Sequence, residues 1–222
     1  MLYLVPTPIG NLSDMTARSI QVLKDVDLIL AEDTRVSKPL LKHFGIDTQV
    51  QSFHSHNEHS LSPKIIEKLS LGVKIACITD AGTPGISDPA YLLVHACRNA
   101  NIEVIALPGA TAFVPAIVAS GLPTEKFFFQ GFLPLKKGRK TQFEFLANLP
   151  CTVVIYESPH RLLKFMDECI LYFGGERQCS LVKEISKMFE KHYRGTLFSV
   201  NEELKILTKI QGEWVMVIEG KK

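Results

Sequence analysis

The 222-residue chain contains neither G-x-G-x-x-G nor G-x-x-x-x-G-K-[ST], so the usual marks of nicotinamide and P-loop nucleotide sites are missing and a ligand other than a pyrophosphate is expected. No G-x-S-x-G elbow is present, and no local Cys-His motif offers a nucleophile. Five cysteines (Cys77, Cys97, Cys151, Cys169, Cys179) are odd in number and free of C-x-x-C spacing. That is the usage of reduced, mostly buried thiols in a cytosolic protein. No apolar run approaches the ~20 residues that span a bilayer. A strand pattern starting at residue 2 leaves no room for a signal peptide, so a cytoplasmic protein with no membrane partner is expected. Internal repeats and low-complexity stretches are also missing.

What the chain does have is a set of small, rigid loops after apolar runs. Asp80-Ala-Gly-Thr-Pro-Gly-Ile-Ser-Asp-Pro89 follows a buried-strand pattern at 73–78 and precedes a helical pattern. Pro108-Gly-Ala-Thr-Ala112 follows the apolar run 102–107, and Pro6-Thr-Pro-Ile-Gly-Asn11 follows 2–5. Glycine lets backbone approach a ligand closely, and proline fixes a loop's shape in advance. In open α/β sheets, ligands bind at the carboxyl ends of strands. One such loop reads as an ordinary turn; three point to one shared crevice.

Hydrophobic residues make up 46% of the chain, enough to bury a core as one large domain or two small ones. The net charge of +2 hides two basic groups: the run Lys136-Lys-Gly-Arg-Lys140, and Lys183, Lys187, Lys191 and Arg194. A solvated surface is the commoner meaning of such runs, and contact with phosphates is the functional one.

Period-two and apolar patterns predict strands at 2–6, 27–31, 48–53, 73–79, 102–107, 127–131, 151–156, 178–184, 188–194 and 213–219. Helical periodicity predicts helices at 14–25, 34–44, 61–70, 88–100, 110–120, 137–148, 158–173 and 197–209. Their caps are expected at Ser13-Asp14, Thr34, Ser62-Pro63 and Ser158-Pro159. Strand and helix alternate through residue 120, which argues for a parallel sheet covered on both faces. Residues 119–126 read as a hinge, and the closely spaced late strands suit an antiparallel pair in a mixed sheet. The expected fold is therefore α/β in two domains, 1–118 and 119–222, with a cleft between them of the kind that favours small-ligand sites.

Three polar constellations stand out. Ala31-Glu-Asp-Thr-Arg35 puts two carboxylates beside an arginine where a strand ends. It is either an acid–base and positioning group, or a capping cluster with Asp33 or Thr34 on the helix and Arg35 paired across it. Tyr156-Glu-Ser-Pro-His-Arg161 has the same placement in the second half, with the same two readings. His54-Ser-His-Asn-Glu-His59 has zinc-compatible spacing, but a polar loop of solvated histidines is the more common outcome, and no metal is assigned. Ligand-cradling loops without an evident nucleophile suit group transfer from an activated cofactor.

Leu2-Tyr-Leu-Val-Pro-Thr-Pro-Ile-Gly-Asn11, Ala31-Glu-Asp-Thr-Arg35, His54-Ser-His-Asn-Glu58, the loop 80–89, Ala119-Ser-Gly-Leu-Pro-Thr124 and Tyr156-Glu-Ser-Pro-His-Arg-Leu162 resemble, in order, the ribosomal RNA small subunit methyltransferase I family of the tetrapyrrole methylase superfamily. The likeness runs from residue 2 to Gly220. It implies S-adenosylmethionine as methyl donor, 2′-O-methylation of a cytidine in the decoding region of 16S rRNA, two α/β domains with the cofactor in their cleft, and a homodimer. It places Ile9, Gly10, Asp80, Gly82, Thr83, Ile86, Thr111, Ala112, Tyr156 and Trp214 on the cofactor. Thr83 stands where the superfamily usually has the acid of Gly-Asp-Pro-Gly, with Asp80 as the replacement charge. Pro-Gly-Ala-Thr-Ala stands for the commoner Pro-Gly-Pro-Ser-Ala.

Many family members continue past the last strand with a further segment. RNA contact is then expected from Lys136, Lys137, Arg139 and Lys140. For the reaction itself, Asp33 or Glu157 is the expected proton acceptor, with Lys183 and Glu184 as alternatives, and Arg35, His160 and Arg161 hold phosphate or ribose. The competing readings are a tetrapyrrole C-methyltransferase of cobalamin biosynthesis and a non-catalytic RNA-binding protein that has kept the fold.

Overall fold

A computed structural model describes residues 1–222. The chain divides into two units, Met1–Thr111 and Ala112–Lys222.

The first unit runs β1 (Leu2–Leu4), α1 (Ala17–Asp25), β2 (Leu28–Ala31), α2 (Thr34–His43), β3 (Val50–Ser52), α3 (Glu58–Ser70), β4 (Ile75–Ile78), α4 (Tyr91–Asn99) and β5 (Val104–Ala106). The strands form one sheet in the order β3-β2-β4-β1-β5, with every pairing parallel. β2 and β4 are buried throughout, as unbroken apolar runs in a doubly covered parallel sheet must be. One face packs Leu4, Leu30 and Cys77 against Ile65 and Leu69 of α3 and Leu93 and Cys97 of α4. The other packs Val5, Ile29 and Ile78 against Leu23 of α1 and Leu41 of α2.

This division of faces decides where a ligand can sit. β1 and β2 send their chains to the α1/α2 face, whereas β4, lying between them, sends its chain to the α4 face. Neighbouring strands whose connections leave on opposite faces open a crevice at their carboxyl ends. The loop 80–89 leaves β4 at that point.

The second unit runs α5 (Phe113–Val118), β6 (Phe127–Phe132), α6 (Arg139–Ala147), β7 (Thr152–Glu157), α7 (Leu162–Phe173), β8 (Gln178–Lys183), β9 (Lys191–Thr196), α8 (Leu197–Lys205) and β10 (Trp214–Ile218). The sheet order is β6-β7-β10-β8-β9. β6 and β7 are parallel and the other pairings antiparallel, so this sheet is mixed as expected. Its main core buries Val153, Ile155, Met216 and Leu181 under Phe143 of α6, Phe165 and Met166 of α7, and Leu197 and Val200 of α8.

Each predicted strand and helix is present, but several boundaries move for local reasons. α5, expected in the first domain, belongs to the second unit. Its Phe113 ring stacks on Phe129 at 4.5 Å, and its Phe113 N–H donates to the Tyr156 hydroxyl at 3.1 Å. The cap of α1 is Thr16, accepting from the Ser19 N–H at 3.0 Å, not Ser13-Asp14. Asn11 takes the Ser13 N–H and diverts residues 12–14 into a separate 3-10 turn. α2 is capped by Asp33 instead of Thr34. α3 starts at Glu58, before the expected Ser62-Pro63 cap, because Asn57 closes a turn by accepting the His54 N–H at 2.8 Å. Ser158 caps only a 3-10 turn, Pro159–Arg161, without a side-chain bond. β9 starts at 191 and not 188, since Lys183 pairs with Lys191 and the residues between form the hairpin loop.

Candidate functional site

The loops after β1, β4 and β5 are knitted together. Thr7 and Gly82 exchange both main-chain hydrogen bonds, at 2.9 and 3.0 Å. The Thr7 hydroxyl donates to the Thr79 carbonyl at 3.0 Å, and the Thr83 hydroxyl donates to the Ala110 carbonyl at 3.0 Å. Gly82 has φ +88°, and a Cβ there would sit 3.5 Å from Ile9 Cγ2. At Gly109 a Cβ would lie 2.6 Å from Pro6 Cβ. Bare backbone is required at Gly109 by the closeness of Pro6, and glycine is favoured at Gly82 by its left-handed φ. Ile9, Gly82, Thr83 and the Pro108–Thr111 loop therefore share one platform. Ile86 closes the β4 loop, donating its N–H to the Thr83 carbonyl at 3.1 Å, and Gly10 lies exposed beyond Ile9. Thr83 thus acts as a neutral staple between the β4 and β5 loops.

Carboxylates gather beside the platform. Asp80 accepts the Asp33 N–H at 3.0 Å, and Glu32 accepts the Thr79 hydroxyl at 2.7 Å. Thr79 also hydrogen-bonds Asp88. Partial burial, then repulsion from Glu32, pushes the Asp88 carboxyl up to about 6, the Thr79 bond and Asp80 acting as smaller, opposed influences. Partial burial raises Asp80 as well. Asp88 is the perturbed carboxyl that attention to Asp33 alone overlooks, with the Glu32 charge beside it. Asp88 stands in the conspicuous 80–89 loop, but its partner Glu32 comes from another strand end.

Asp33 follows the capping reading. It receives the Arg35 N–H at 2.8 Å and the Arg35 guanidinium at 2.6 Å. These bonds, the side-chain one foremost, hold its carboxyl at about 2. So weak a base, tied to its neighbour, is poorly suited to take a proton near neutral pH. Arg35 itself points into solvent, its side chain 89% exposed.

In the second unit, Tyr156 and Trp214 project from opposite faces of the sheet. Trp214 pairs with Glu157 and Val215 with Tyr156, and successive strand residues alternate sides. The two therefore cannot line one pocket together. Trp214, 2% exposed, belongs to the core on the α8 face, and Tyr156 secures α5. Ala112 immediately precedes α5.

Glu157 lies on the same side as Trp214 and its side chain has no solvent exposure. One oxygen takes the Arg161 guanidinium at 2.6 Å and the Ser158 N–H at 2.7 Å. The other lies 3.6 Å from Arg139. Arg139 is itself buried, gripping Glu168 at 2.6 Å and the Pro134 carbonyl at 3.0 Å. Burial works against this cation, but Glu168 and Glu157 outweigh it and raise its pKa. Arg139 thus leaves the basic run by turning inward, while Lys136, Lys137 and Lys140 stay exposed. His160 lines a surface pocket of about 330 Å³ with Lys164, Lys205 and Lys209. Glu184 pairs with Lys187 at 3.1 Å and accepts the Glu213 N–H at 2.8 Å. Burial opposes its ionisation, but these bonds prevail and lower its pKa. At the histidine-rich segment, His54 Nε2 faces Asn57 at 3.3 Å, and no group of three potential ligands is arranged around a metal.

Residues 1–201 match the model of the tetrapyrrole (corrin/porphyrin) methylases. The chain is 47% identical over 221 residues to a Synechocystis ribosomal RNA small subunit methyltransferase I, covering 99% of this chain and 79% of that protein. The chain belongs to the ribosomal RNA small subunit methyltransferase I family, within the tetrapyrrole methylases. As a member it is a methyltransferase. The Escherichia coli O157:H7 relative is 43% identical, with 100% of this chain and 78% of that protein covered. Among solved structures, uroporphyrin-III C-methyltransferase from Thermus thermophilus, in complex with S-adenosylhomocysteine, aligns at TM-score 0.64 and 19% identity, covering 99% of this chain and 97% of that one. That likeness establishes the fold. No helix is long and apolar enough to cross a membrane.

Proposed function

We propose that the protein is an S-adenosylmethionine-dependent methyltransferase that 2′-O-methylates a cytidine ribose in the decoding region of 16S rRNA. Near-full-length identity of 43–47% to proteins carrying one ribosomal RNA methyltransferase name supports this. The tetrapyrrole alternative is not favoured, since the uroporphyrin neighbour shares only 19% of its residues.

The first unit fits the donor. Bare backbone at Gly109 seats the β5 loop against Pro6 and fixes the platform, and carboxylates at Asp80 and Asp88 suit a molecule with a sulfonium, an ammonium and ribose hydroxyls. Ile9, Gly10, Asp80, Gly82, Thr83, Ile86 and Thr111 would hold it. S-adenosylmethionine supplies a methyl group already activated by its sulfonium. The protein's task is then to orient the acceptor hydroxyl, which can contribute ~7–11 kcal/mol, and to receive its proton, worth about 10²–10⁴-fold. Asp88, at about 6, is better poised to receive it near neutral pH than the tied carboxylate of Asp33. Lys136, Lys137 and Lys140 meet RNA phosphates, and His160 and Arg161 serve the same polyanion. The working form is a cytoplasmic homodimer acting on the small ribosomal subunit.

Labelled S-adenosylmethionine, incubated with small subunits lacking the modification and with a tetrapyrrole control, tests the reading. Label is expected in one ribose, blocking alkaline cleavage at that nucleotide. Label in a base, or in the tetrapyrrole alone, overturns it.

A further inference from the structure

The loop joining β8 to β9 presents its two most apolar side chains to solvent. Met188 is 91% exposed and Phe189 72%. Around them the loop is firmly built. Ile185 plugs inward at 8% exposure. The Glu190 carboxylate accepts the Ser186 N–H at 2.7 Å and meets His192 Nε2 at 2.7 Å. Lys187 joins Glu184 and Glu213, each at 3.1 Å. The Lys187 N–H donates to the Glu184 carbonyl at 3.0 Å, and the Glu190 N–H to the Lys187 carbonyl at 3.1 Å. Left-handed backbone at Glu184 (φ 53°) and Ser186 (φ 65°) shapes the turn. These bonds fix the backbone, so Phe189 is held outward by the fold.

The charges nearby have a pattern. Glu184 and, from the segment before β10, Glu213 pair with Lys187, and Glu190 meets the His192 ring. Lys183 and Lys191, opposite each other at the mouth of the hairpin, make no ion pair. Their ammonium groups rest over rings, Lys183 5.9 Å from Trp214 and Lys191 4.5 Å from Tyr193. Two cations without an ion pair thus stand at the base of the loop that carries the exposed Phe189.

We propose that this hairpin tip is a docking surface for single-stranded RNA, with Phe189 stacking on an unpaired base, Met188 packing beside it, and Lys183 and Lys191 meeting the flanking phosphates. The proposal rests on the ribosomal RNA reading above. An aromatic face with adjacent cations recognises a nucleobase and its phosphates. Two apolar residues bury too little to hold a membrane, which takes an amphipathic helix or a lipid chain. They also fall well short of a stable protein interface.

The test measures affinity and methylation kinetics on undermethylated small subunits for the wild type, Phe189→Ala, Phe189→Tyr and Lys191→Gln. Phe189→Ala is expected to weaken RNA binding by about tenfold and raise KM for the subunit in step. Phe189→Tyr keeps a stacking ring and stays within about twofold of wild type. Lys191→Gln reduces the slope of log affinity against log salt by about one. Donor affinity by calorimetry and the thermal midpoint should hold in all three, since the altered side chains face solvent. Wild-type RNA affinity in Phe189→Ala, with the wild type methylating normally, overturns the docking surface and leaves the methyltransferase reading standing. A wild type that neither binds nor methylates the subunit removes both. If Phe189→Ala instead loses binding to phosphatidylglycerol vesicles, or sediments as a smaller species, while its RNA affinity holds, the surface serves lipid or a second copy and the proposal falls.

Discussion

The Thr79 hydroxyl donates to Glu32 at 2.7 Å and also serves Asp88. One hydroxyl hydrogen cannot satisfy two carboxylates at once. A proton on Asp88 removes one of the two facing charges. Loss of that proton leaves two anions facing one donor. Burial foremost, then repulsion from the Glu32 charge, holds a proton at Asp88 up to about 6, against the smaller opposing pull of the Thr79 hydroxyl.

Activity should accordingly fall as pH drops below about 6, with a slope of one proton, because only the ionised carboxylate accepts the substrate hydroxyl's proton. Asp88→Asn should lower kcat by about 10²–10⁴-fold and flatten that limb of the profile. A pH–rate profile of the variant that keeps an inflection near 6 would assign it to another group. Stability offers an independent reading. The folded-state pKa lies above the ordinary 3.8, so this carboxyl favours the folded state below about 3.8, and that contribution is lost as pH rises through about 6. The difference in urea midpoint between Asp88→Asn and wild type should therefore shift in the variant's favour from pH 4 to pH 8.

Asp33 titrates in the opposite sense. Its folded pKa is lowered to about 2, so its stabilising contribution is present above the ordinary 3.8 and is lost as pH falls through about 2. Asp33→Asn keeps an acceptor for the Arg35 N–H. It should cost little at pH 7 and leave the pH–rate limb near 6 in place. A loss of kcat as large as that of Asp88→Asn would restore Asp33 as the proton acceptor.

The elements were legible because apolar periodicity is a property of each segment alone. The parallel character of the first sheet and the mixed character of the second also follow from alternation and connection length. Side-chain commitments were less legible, because they depend on partners distant in sequence. Arg139 reads as one more cation in a basic run until Glu168, on the facing helix α7, turns it inward. Tyr156 and Trp214 look like joint pocket residues until the antiparallel register of β7 and β10 sends them to opposite faces. Asp88 lies in the loop that sequence reasoning picked out first, yet its raised pKa comes from burial in the fold and, after that, from Glu32 at a neighbouring strand end.

Gly109→Ala tests the platform. The added methyl would lie 2.6 Å from Pro6 Cβ and 2.8 Å from its Cγ, and a proline ring has no rotamer that clears the space. The β1 and β5 loops must part. A cost of ~1–3 kcal/mol is expected in urea unfolding, along with weaker S-adenosylmethionine binding by calorimetry. Unchanged values in both would show that the loops are not packed as described.

The buried ion network separates a structural role for Glu157 from a catalytic one. Removing its carboxylate takes away the 2.6 Å partner of the partly exposed Arg161, while Arg139 keeps Glu168, so the cost falls below the ~3–5 kcal/mol of a fully buried pair broken from one side. Glu157→Ala should therefore unfold at lower denaturant, since Arg161 loses its partner at 2.6 Å, and Arg139→Ala likewise, since Glu168 loses its own. Lys136→Ala and Lys137→Ala, altering exposed cations, should leave stability unchanged and each lower the salt slope of RNA binding by about one. Per folded molecule, Glu157→Ala should retain its kcat at saturating substrate. A kcat loss of 10²-fold or more in molecules shown to be folded by near-ultraviolet dichroism would place this carboxylate in the reaction itself.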